Sequence, residues 1–370
     1  MQKNQKMYPP VPTAVNSACL TACAQAAVTT GTGRFMPSQA KKQAALRKLR
    51  IGIDIMGSEN PPDVLLKTAE ALAPEVEGES QLIAIGHPRY ATHSTLAFRP
   101  AESTIEMDDS PITAIRRKPN SSLCIGLKML REKEIDAFVS AGNTGALVVC
   151  AKRTCGMMPG LLRPALLALI PTRREPLAVL DVGANVQCKA AHLVQFALLG
   201  AAYKKAKGMA LPSVGLLNIG EEAIKGTSEL RLAYSELRQL ADLPHPFFHF
   251  AGNIEGKSVF DGQIDVLITD GFTGNIFLKT AEGIASLILD RLNEKLPLDT
   301  ALQMQSHLLD LHRHLHYAEY PGALLCGIRG IVIKCHGYSS REAFRSGIRE
   351  AVKIAREGFL QIIQDKLVNA

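Results

Sequence analysis

LRIGIDIMGSENPPDVLLKTAEAL, residues 49–72, is the stretch on which the fold class turns. The apolar run Leu49 to Ile55 reads as a buried strand, and Met56-Gly57 closes it with a turn. Pro61 and Pro62 then precede a helix-period segment from Asp63 to Leu72, where proline suits the first turn. The same strand–turn–helix grammar continues outward. Gln81 to Gly86 is a second strand, Ser121 to Lys133 an amphipathic helix, and Ala137 to Ser140 a strand behind it. Leu177–Asp181, Val214–Ile219, Val266–Thr269 and Ile331–Lys334 are further short apolar runs, with helical patterns at 189–207, 221–241, 274–294 and 340–366. Near-continuous apolar strands alternating with helices predict an α/β fold, its mostly parallel sheet covered on both faces. No repeat or long linker interrupts residues 49–370, which read as one domain.

The chain has 370 residues, 46% of them apolar, enough for a full core and too many for a disordered or collagen-like chain. No uninterrupted apolar run reaches the length of a membrane span. The formal charge of +7 is confined to the N-terminal stretch. Residues 1–48 carry Lys3, Lys6, Arg34, Lys41, Lys42, Arg47 and Lys48 and no acid, leaving 35 basic against 35 acidic residues in the body. A nucleic-acid partner is therefore not expected. Residues 1–48 have no period, and Asn16, Ser17, Thr21 and Gln25 break the apolar stretch a signal peptide needs. They read as a basic, disordered extension, or as a start placed upstream of a true one at Met36. Eight cysteines without a C-x-x-C pair predict reduced, mostly buried thiols in a cytoplasmic protein and no metal site.

In parallel α/β folds ligands sit beyond the carboxyl ends of the strands. Five such ends carry Gly with Asn, Asp or Thr: Asp54 to Asn60 with Gly57, Ser140 to Gly145, Asp181 to Asn185, Asn218 to Glu222, and Asp270 to Asn275. Gly142-Asn143-Thr144-Gly145 and Gly271-Phe272-Thr273-Gly274-Asn275 each open a helical stretch, where backbone N–H groups and the helix dipole favour an anion. No G-x-x-x-x-G-K-[ST], no G-x-G-x-x-G after a strand and no G-x-S-x-G elbow is present. Cys335 and His336 are adjacent on a strand, so their side chains point to opposite faces and do not pair.

Seven stretches together resemble the bacterial phosphate acyltransferase (PlsX) family. They are IEMDDSPITAIRRKPNSS (105–122), SAGNTGAL (140–147), LDVGANVQCKAAHLVQFALLG (180–200), VGLLNIGEEAIKG (214–226), GNIEG (252–256), DGFTGNIFLKTAEG (270–283) and GIVIKCHGYSS (330–340). The resemblance implies a three-layer α/β/α sandwich similar to the phosphotransacetylase and isocitrate-dehydrogenase architecture. It implies transfer of an acyl group from acyl carrier protein to inorganic phosphate, with no cofactor, giving an acyl phosphate for a membrane glycerol-3-phosphate acyltransferase. It further implies a homodimer in the cytoplasm that touches the membrane peripherally. The chain departs from the family at Ser58 and Glu59, where Gly-Asp is usual, at Gln187, where Asp is usual, and at Pro321. A positive φ at Ser58 would be strained.

Phosphate is itself the nucleophile in such a reaction. Asn143 and Asn185 are the expected catalytic donors, with Lys189 and Lys225 for charge and His336 to protonate the departing sulfur. Asp54, Gly57, Gly142, Thr144, Gly145, Asn218, Asp270, Gly271, Thr273, Gly274, Asn275 and Lys334 are the expected phosphate or substrate contacts. Residues 283–317 read as an apolar helical pair bending at Pro297, serving a dimer or core face or resting on lipid. His307, His312, His314 and His316 lack the carboxylate or thiol company of a metal site. Arg116-Arg117-Lys118 is the densest basic cluster of the body, which reads as a solvated face or as the docking patch an acidic carrier needs. Two other readings compete: an NAD-dependent decarboxylating dehydrogenase, which lacks its carboxylate group and cofactor loop here, and a non-catalytic acyl-carrier-binding protein.

Overall fold

A computed structural model describes residues 47–295, 322–337 and 340–368, which belong to one compact unit, Gln43–Ala370. The N-terminal extension up to residue 46, the histidines between 307 and 316, Tyr320-Pro321 and the second half of the expected helical pair lie outside the described residues. An 11-stranded sheet in the order β3-β2-β1-β4-β11-β10-β5-β6-β9-β7-β8 forms the middle layer. Its strands are β1 (Leu49–Asp54), β2 (Ser80–Gly86), β3 (Ala97–Pro100), β4 (Ala137–Ser140), β5 (Ala165–Ile170), β6 (Leu177–Leu180), β7 (Ser213–Asn218), β8 (His249–Glu255), β9 (Val266–Ile268), β10 (Ala323–Cys326) and β11 (Ile331–Lys334). The helices are α1 (Pro62–Val76), α2 (Pro111–Arg117), α3 (Ser122–Arg131), α4 (Thr144–Thr154), α5 (Ala190–Ala206), α6 (Ser228–Ala241), α7 (Gly271–Lys295), α8 (Arg341–Arg356) and α9 (Phe359–Val368).

Alternation along the strands separates two cores. Ile51, Ile53, Val139 and Ile333 point to the face packed by α1, α5, α6, α8 and α9. Phe138, Leu166, Val179 and Val332 point to the face packed by α2, α3, α4 and α7. This period of two is what a sheet covered on both sides requires. The expected α/β/α sandwich is thus the observed architecture.

Strand direction is the part the expected rim did not anticipate. β3, β2, β1, β4 and β11 are mutually parallel, and β6, β9, β7 and β8 form a second parallel block. Between them β10 runs antiparallel to both β11 and β5, and β5 antiparallel to β6. The second block therefore runs opposite to the first. The ends of β6, β7 and β9 thus point the opposite way from those of β1, β4 and β11, yet Glu59, Thr144, Gly183 and Gly271 bring four of the five loops onto one cavity, and only the Asn218–Glu222 loop contributes nothing to it.

Local chemistry explains several boundaries. The single helical pattern at 340–366 is two helices, α8 and α9, parted at Gly358, whose φ of 63° ends a helix without steric cost. In the first loop it is Gly57 that takes the left-handed conformation, at φ 69°, while Ser58 does not; the departure from the family introduces no strain there. Ser58 Oγ instead donates to the Gly337 carbonyl at 2.7 Å and accepts from Asn60 N–H at 3.1 Å. On α7, Ile284, Leu287 and Ile288 are 54%, 57% and 47% exposed, so they form no core face with the other described residues.

Glycines on α7 give a contrast that tests this packing. A Cβ on Gly274 would lie 2.0 Å from the Asp181 carbonyl oxygen, whereas one on Gly283 meets nothing within 4 Å. Gly274→Ala is expected to lower stability by about 1–3 kcal/mol or more, and Gly283→Ala to raise it by about 0.5–1 kcal/mol, both read by thermal unfolding.

Candidate active site

Register builds the centre of the site. Asp54 pairs with Ser140 across β1 and β4, and Ser140 with Lys334 across β4 and β11. Each is the last residue of its strand, and alternation turns all three toward the face of α3, α4 and α7. Ser140 Oγ donates to Asp54 Oδ2 at 2.9 Å and accepts from Gly142 N–H at 3.1 Å, so the row fixes the start of the Gly142–Gly145 turn. Met56 N–H donates to Asp54 Oδ1 at 3.0 Å.

Both charged members are buried, and the burial sets their titration. Burial raises the Asp54 carboxyl to about 6, against hydrogen bonds from Ser122, Met56 and Ser140 and the Lys334 charge. It lowers the Lys334 ammonium to about 8, with Lys279 adding to the effect and Cys335, Glu59 and Asp54 opposing it. At neutral pH the pair stays ionised: a carboxylate and an ammonium in a medium of low polarity. Lys334 Nζ donates to the carbonyls of Ala141, at 3.5 Å, and Cys335.

Lys334 lines a cavity of about 420 Å³. Its polar side includes Glu59, Thr144, Asn275, Lys279, Glu282 and His336; Leu166, Ala168, Leu169, Val182, Leu278 and Ala323 make an apolar wall. α7 supplies the far wall from one face, because Asn275, Lys279 and Glu282 recur at helical spacing. His336 bridges the two sides. Its Nδ1 lies 3.0 Å from Lys279 Nζ and its Nε2 lies 3.1 Å from Glu282 Oε1. A lysine donates to Nδ1, which leaves the ring proton on Nε2, directed at the carboxylate. Burial alone would raise Glu282, yet the hydrogen bond from His336, with the charge and hydrogen bond of Lys279, holds it below the usual carboxylate range.

The asparagines expected as catalytic donors are occupied by the fold. Asn143 Nδ2 donates to the carbonyls of Glu106, Met107 and Asp109 at 3.2, 2.9 and 3.1 Å, while its Oδ1 caps α4 through Ala146 N–H at 2.9 Å. Asn185 Nδ2 donates to the Pro164 carbonyl at 2.7 Å and to Asp181 Oδ2 at 2.8 Å. Asn218 Nδ2 donates to the Lys225 carbonyl and Asn253 Oδ1, at 3.2 and 3.1 Å. Asp181 accepts from the N–H groups of Leu166, Gly183, Ala184 and Asn185, and burial still pushes its carboxyl up.

The glycine turn at α7 is likewise engaged. Gly271 N–H donates to the Asn185 carbonyl at 2.8 Å, Gly274 N–H to the Asp270 carbonyl at 2.9 Å, and Thr273 N–H and Oγ1 to Asp270 at 2.9 and 2.8 Å. A Cβ on Gly271 would stand 2.6 Å from the Asn185 carbonyl oxygen. These glycines let α7 approach the Asp181–Asn185 loop. Of the expected residues, the structure places Thr144, Gly271, Asn275, Lys334 and His336 on the cavity. Asp54 at the end of β1, Gly57, Gly142 and Asn143 in the turns, and Gly145 in the first turn of α4 stand beside it. Lys189 caps α5 with its side chain exposed, Lys225 pairs with Glu222 at 3.8 Å, and neither lines the cavity.

Lys279 and Glu282 were missed as site residues. Their signal was the spacing 275, 279, 282 within DGFTGNIFLKTAEG, which puts three polar side chains on one helix face. Cys335 is poorly set for a nucleophile. Burial pushes its thiol up to about 12, and a Cβ on Gly347 of α8 would lie 2.5 Å from its Sγ, across the sheet from His336.

The α/β/α sandwich, with a cation buried at the end of β11 and an apolar-walled cavity above it, has the fold of the phosphotransacetylases. A phosphotransacetylase from Staphylococcus aureus shares the architecture at a TM-score of 0.54 and 15% identity, over 85% of this chain and 96% of its own. Residues 49–362 match the family described as "Fatty acid synthesis protein". The phosphate acyltransferase of Thermotoga petrophila is 39% identical over 86% of this chain and 94% of its own length, and that of Chlamydia pneumoniae 37% over 87% and 100%. The chain belongs to this family of acyltransferases.

The amide assignments predict a stability effect. Asn143→Ala strips the donor from three carbonyls and the cap from α4, and unfolding is expected about 2–4 kcal/mol easier. Denaturant titration of the variant reads this directly.

Proposed function

We propose that the enzyme transfers a fatty acyl group from acyl carrier protein to inorganic phosphate, releasing an acyl phosphate for phospholipid synthesis. The observation that carries this reading is the cavity itself, with a buried ammonium at one end and an apolar wall running from it. An anion and a hydrocarbon chain are what two such surfaces bind. The family supports the chemistry.

Phosphate sits against Lys334, Thr144 and Lys279, and the acyl chain lies along Leu166, Ala168 and Leu278. A phosphate oxygen attacks the thioester carbonyl carbon, the carbon–sulfur bond breaks, and the carrier thiolate leaves. The proton count closes without a protein acid, because hydrogen phosphate surrenders its proton as it becomes an acyl phosphate and the thiolate takes it. His336 then positions Lys279 and Glu282 instead of protonating sulfur. Holding the reactants together supplies up to about 7–11 kcal/mol, and a positioned donor at the developing oxyanion about 2.7–4 kcal/mol.

The intact hydrogen bonding of Ser58 and the exposure of Gln187 argue that the family departures leave catalysis in place, against a non-catalytic acyl-carrier-binding role. Arg116 and Arg117 are exposed on α2, which packs against α4, and they are the proposed seat of the acidic carrier. The exposed stripe on α7 supports an apolar contact on that face, with a second copy of the chain or with the membrane where a glycerol-3-phosphate acyltransferase takes the product.

Acyl phosphate formation from acyl-ACP and phosphate tests the proposal; a purified protein without phosphate-dependent turnover contradicts it. Lys334 gives the sharper form. Its ammonium is present below about 8, so kcat/KM for phosphate falls as pH rises through that value. Lys334→Met is expected to lose this limb and to raise KM for phosphate about 10–100-fold, the worth of a charge-assisted hydrogen bond. The ratio of wild type to variant across pH cancels the titration of phosphate. Charge reversal at Arg116 and Arg117 is expected to raise KM for acyl-ACP with kcat little changed.

A further inference from the structure

Cys124 and Cys150 are a pair that the acyl-transfer reading leaves unused. Cys124 stands in the first turn of α3, its N–H donating to the hydroxyl of Ser121, which caps the helix, at 3.4 Å. Cys150 is on α4, which packs beside α3, and its Sγ donates to Cys124 Sγ at 3.6 Å. Cys150 is buried and Cys124 only partly so. That division suits an attacking thiol reached from solvent and a resolving thiol behind it.

The surroundings separate the two further. The hydrogen bond from Cys150 leads in holding the Cys124 thiol down to about 7; burial opposes it, while Ser121 and the Arg153 charge assist. Cys150 is pushed well up, first because it donates that bond and then by burial. Burial raises Cys155, Cys188, Cys326 and Cys335 as well, leaving Cys124 the thiol poised for exchange among the described residues.

We propose that Cys124 and Cys150 form a thiol–disulfide exchange site that reacts with small disulfides of the glutathione class and closes to an internal disulfide that slows turnover. Cys124 thiolate attacks one sulfur of the small disulfide, breaking its S–S bond and expelling one small thiolate. Cys150 gives up its proton and attacks Cys124 Sγ, expelling the second. Two electrons pass from the protein thiols to the small disulfide, and the two protons end on its two thiols.

Both helices touch the site. Ser122, two residues before Cys124, hydrogen-bonds Asp54, and α4 is capped by Asn143, whose side chain fixes the 106–109 loop. Closing the sulfurs asks for a movement of about 1.5 Å. Since about 1 Å of misplacement can reduce a rate about 100-fold, a loss of turnover on the order of tenfold is expected when part of the movement reaches the site.

The test treats the full chain with glutathione disulfide, maps peptides without reduction, and follows acyl phosphate formation. Wild type is expected to lose two hydrogens, yield a linked Cys124–Cys150 peptide and slow about tenfold by the reasoning above, recovering with dithiothreitol. Cys150→Ala should instead accumulate a stable glutathione adduct on Cys124, and Cys124→Ser should give neither the link nor the slowing. A persistent adduct on wild-type Cys124, no linked peptide, or a link with unchanged turnover overturns the proposal. The turnover readout rests on the reaction proposed above, but the peptide map does not, so the two failures are distinguishable.

Discussion

An aspartate, a serine and a lysine held at one register on three adjacent parallel strands are the constraint on which the site depends. Asp54, Ser140 and Lys334 are paired across β1, β4 and β11, so none can shift by one residue without turning its side chain to the opposite core. Burial disfavours the ions at both ends of the row and moves their titration toward neutrality from opposite sides. A carboxylate and an ammonium kept charged in a place that penalises both hold a field that water would otherwise quench. Such a field acts on an anion brought into the cavity and on charge that develops there during acyl transfer.

The antiparallel seam converts that row into a cavity. Because β10 reverses direction between β11 and β5, the end of β11 meets the start of β10, with Lys334 opposite Ala323. The apolar side chains of β5 then continue from the charged row across the sheet. α7, anchored where Gly271 and Gly274 press against the Asp181–Asn185 loop, brings Lys279 and Glu282 to His336 on the first block. A polar end and an apolar wall follow from one reversal of strand direction. The Nδ2 groups of Asn143, Asn185 and Asn218 are taken up in holding the loops so arranged, while Lys334 and Lys279 are cations that line the cavity.

Strands with strong signals were legible in the sequence: Ala137–Ser140 and Ile331–Lys334 fall at the observed boundaries of β4 and β11. Residues 165–170 went unread, because a short run of Ala and Leu with a single Ile does not separate strand from helix. Strand direction was not legible, because an apolar run carries no sign of which way it points. For the site, Lys334 and Asp54 could be found as charged residues ending apolar runs. The role of an asparagine could not, since an amide that caps a helix and one that binds an anion look identical in sequence. The family match settles what spacing left open, setting the acyltransferase reading above a dehydrogenase on a related architecture.

The central claim is that phosphate attacks the thioester directly, with no acyl group passing through the protein. A rapid-quench experiment mixes enzyme with acyl-ACP in the absence of phosphate and measures free carrier thiol and the intact mass of the enzyme. The account predicts no burst of thiol and an unmodified chain until phosphate is added, when thiol and acyl phosphate appear together. A stoichiometric burst of thiol with an acyl group retained on the polypeptide would contradict it.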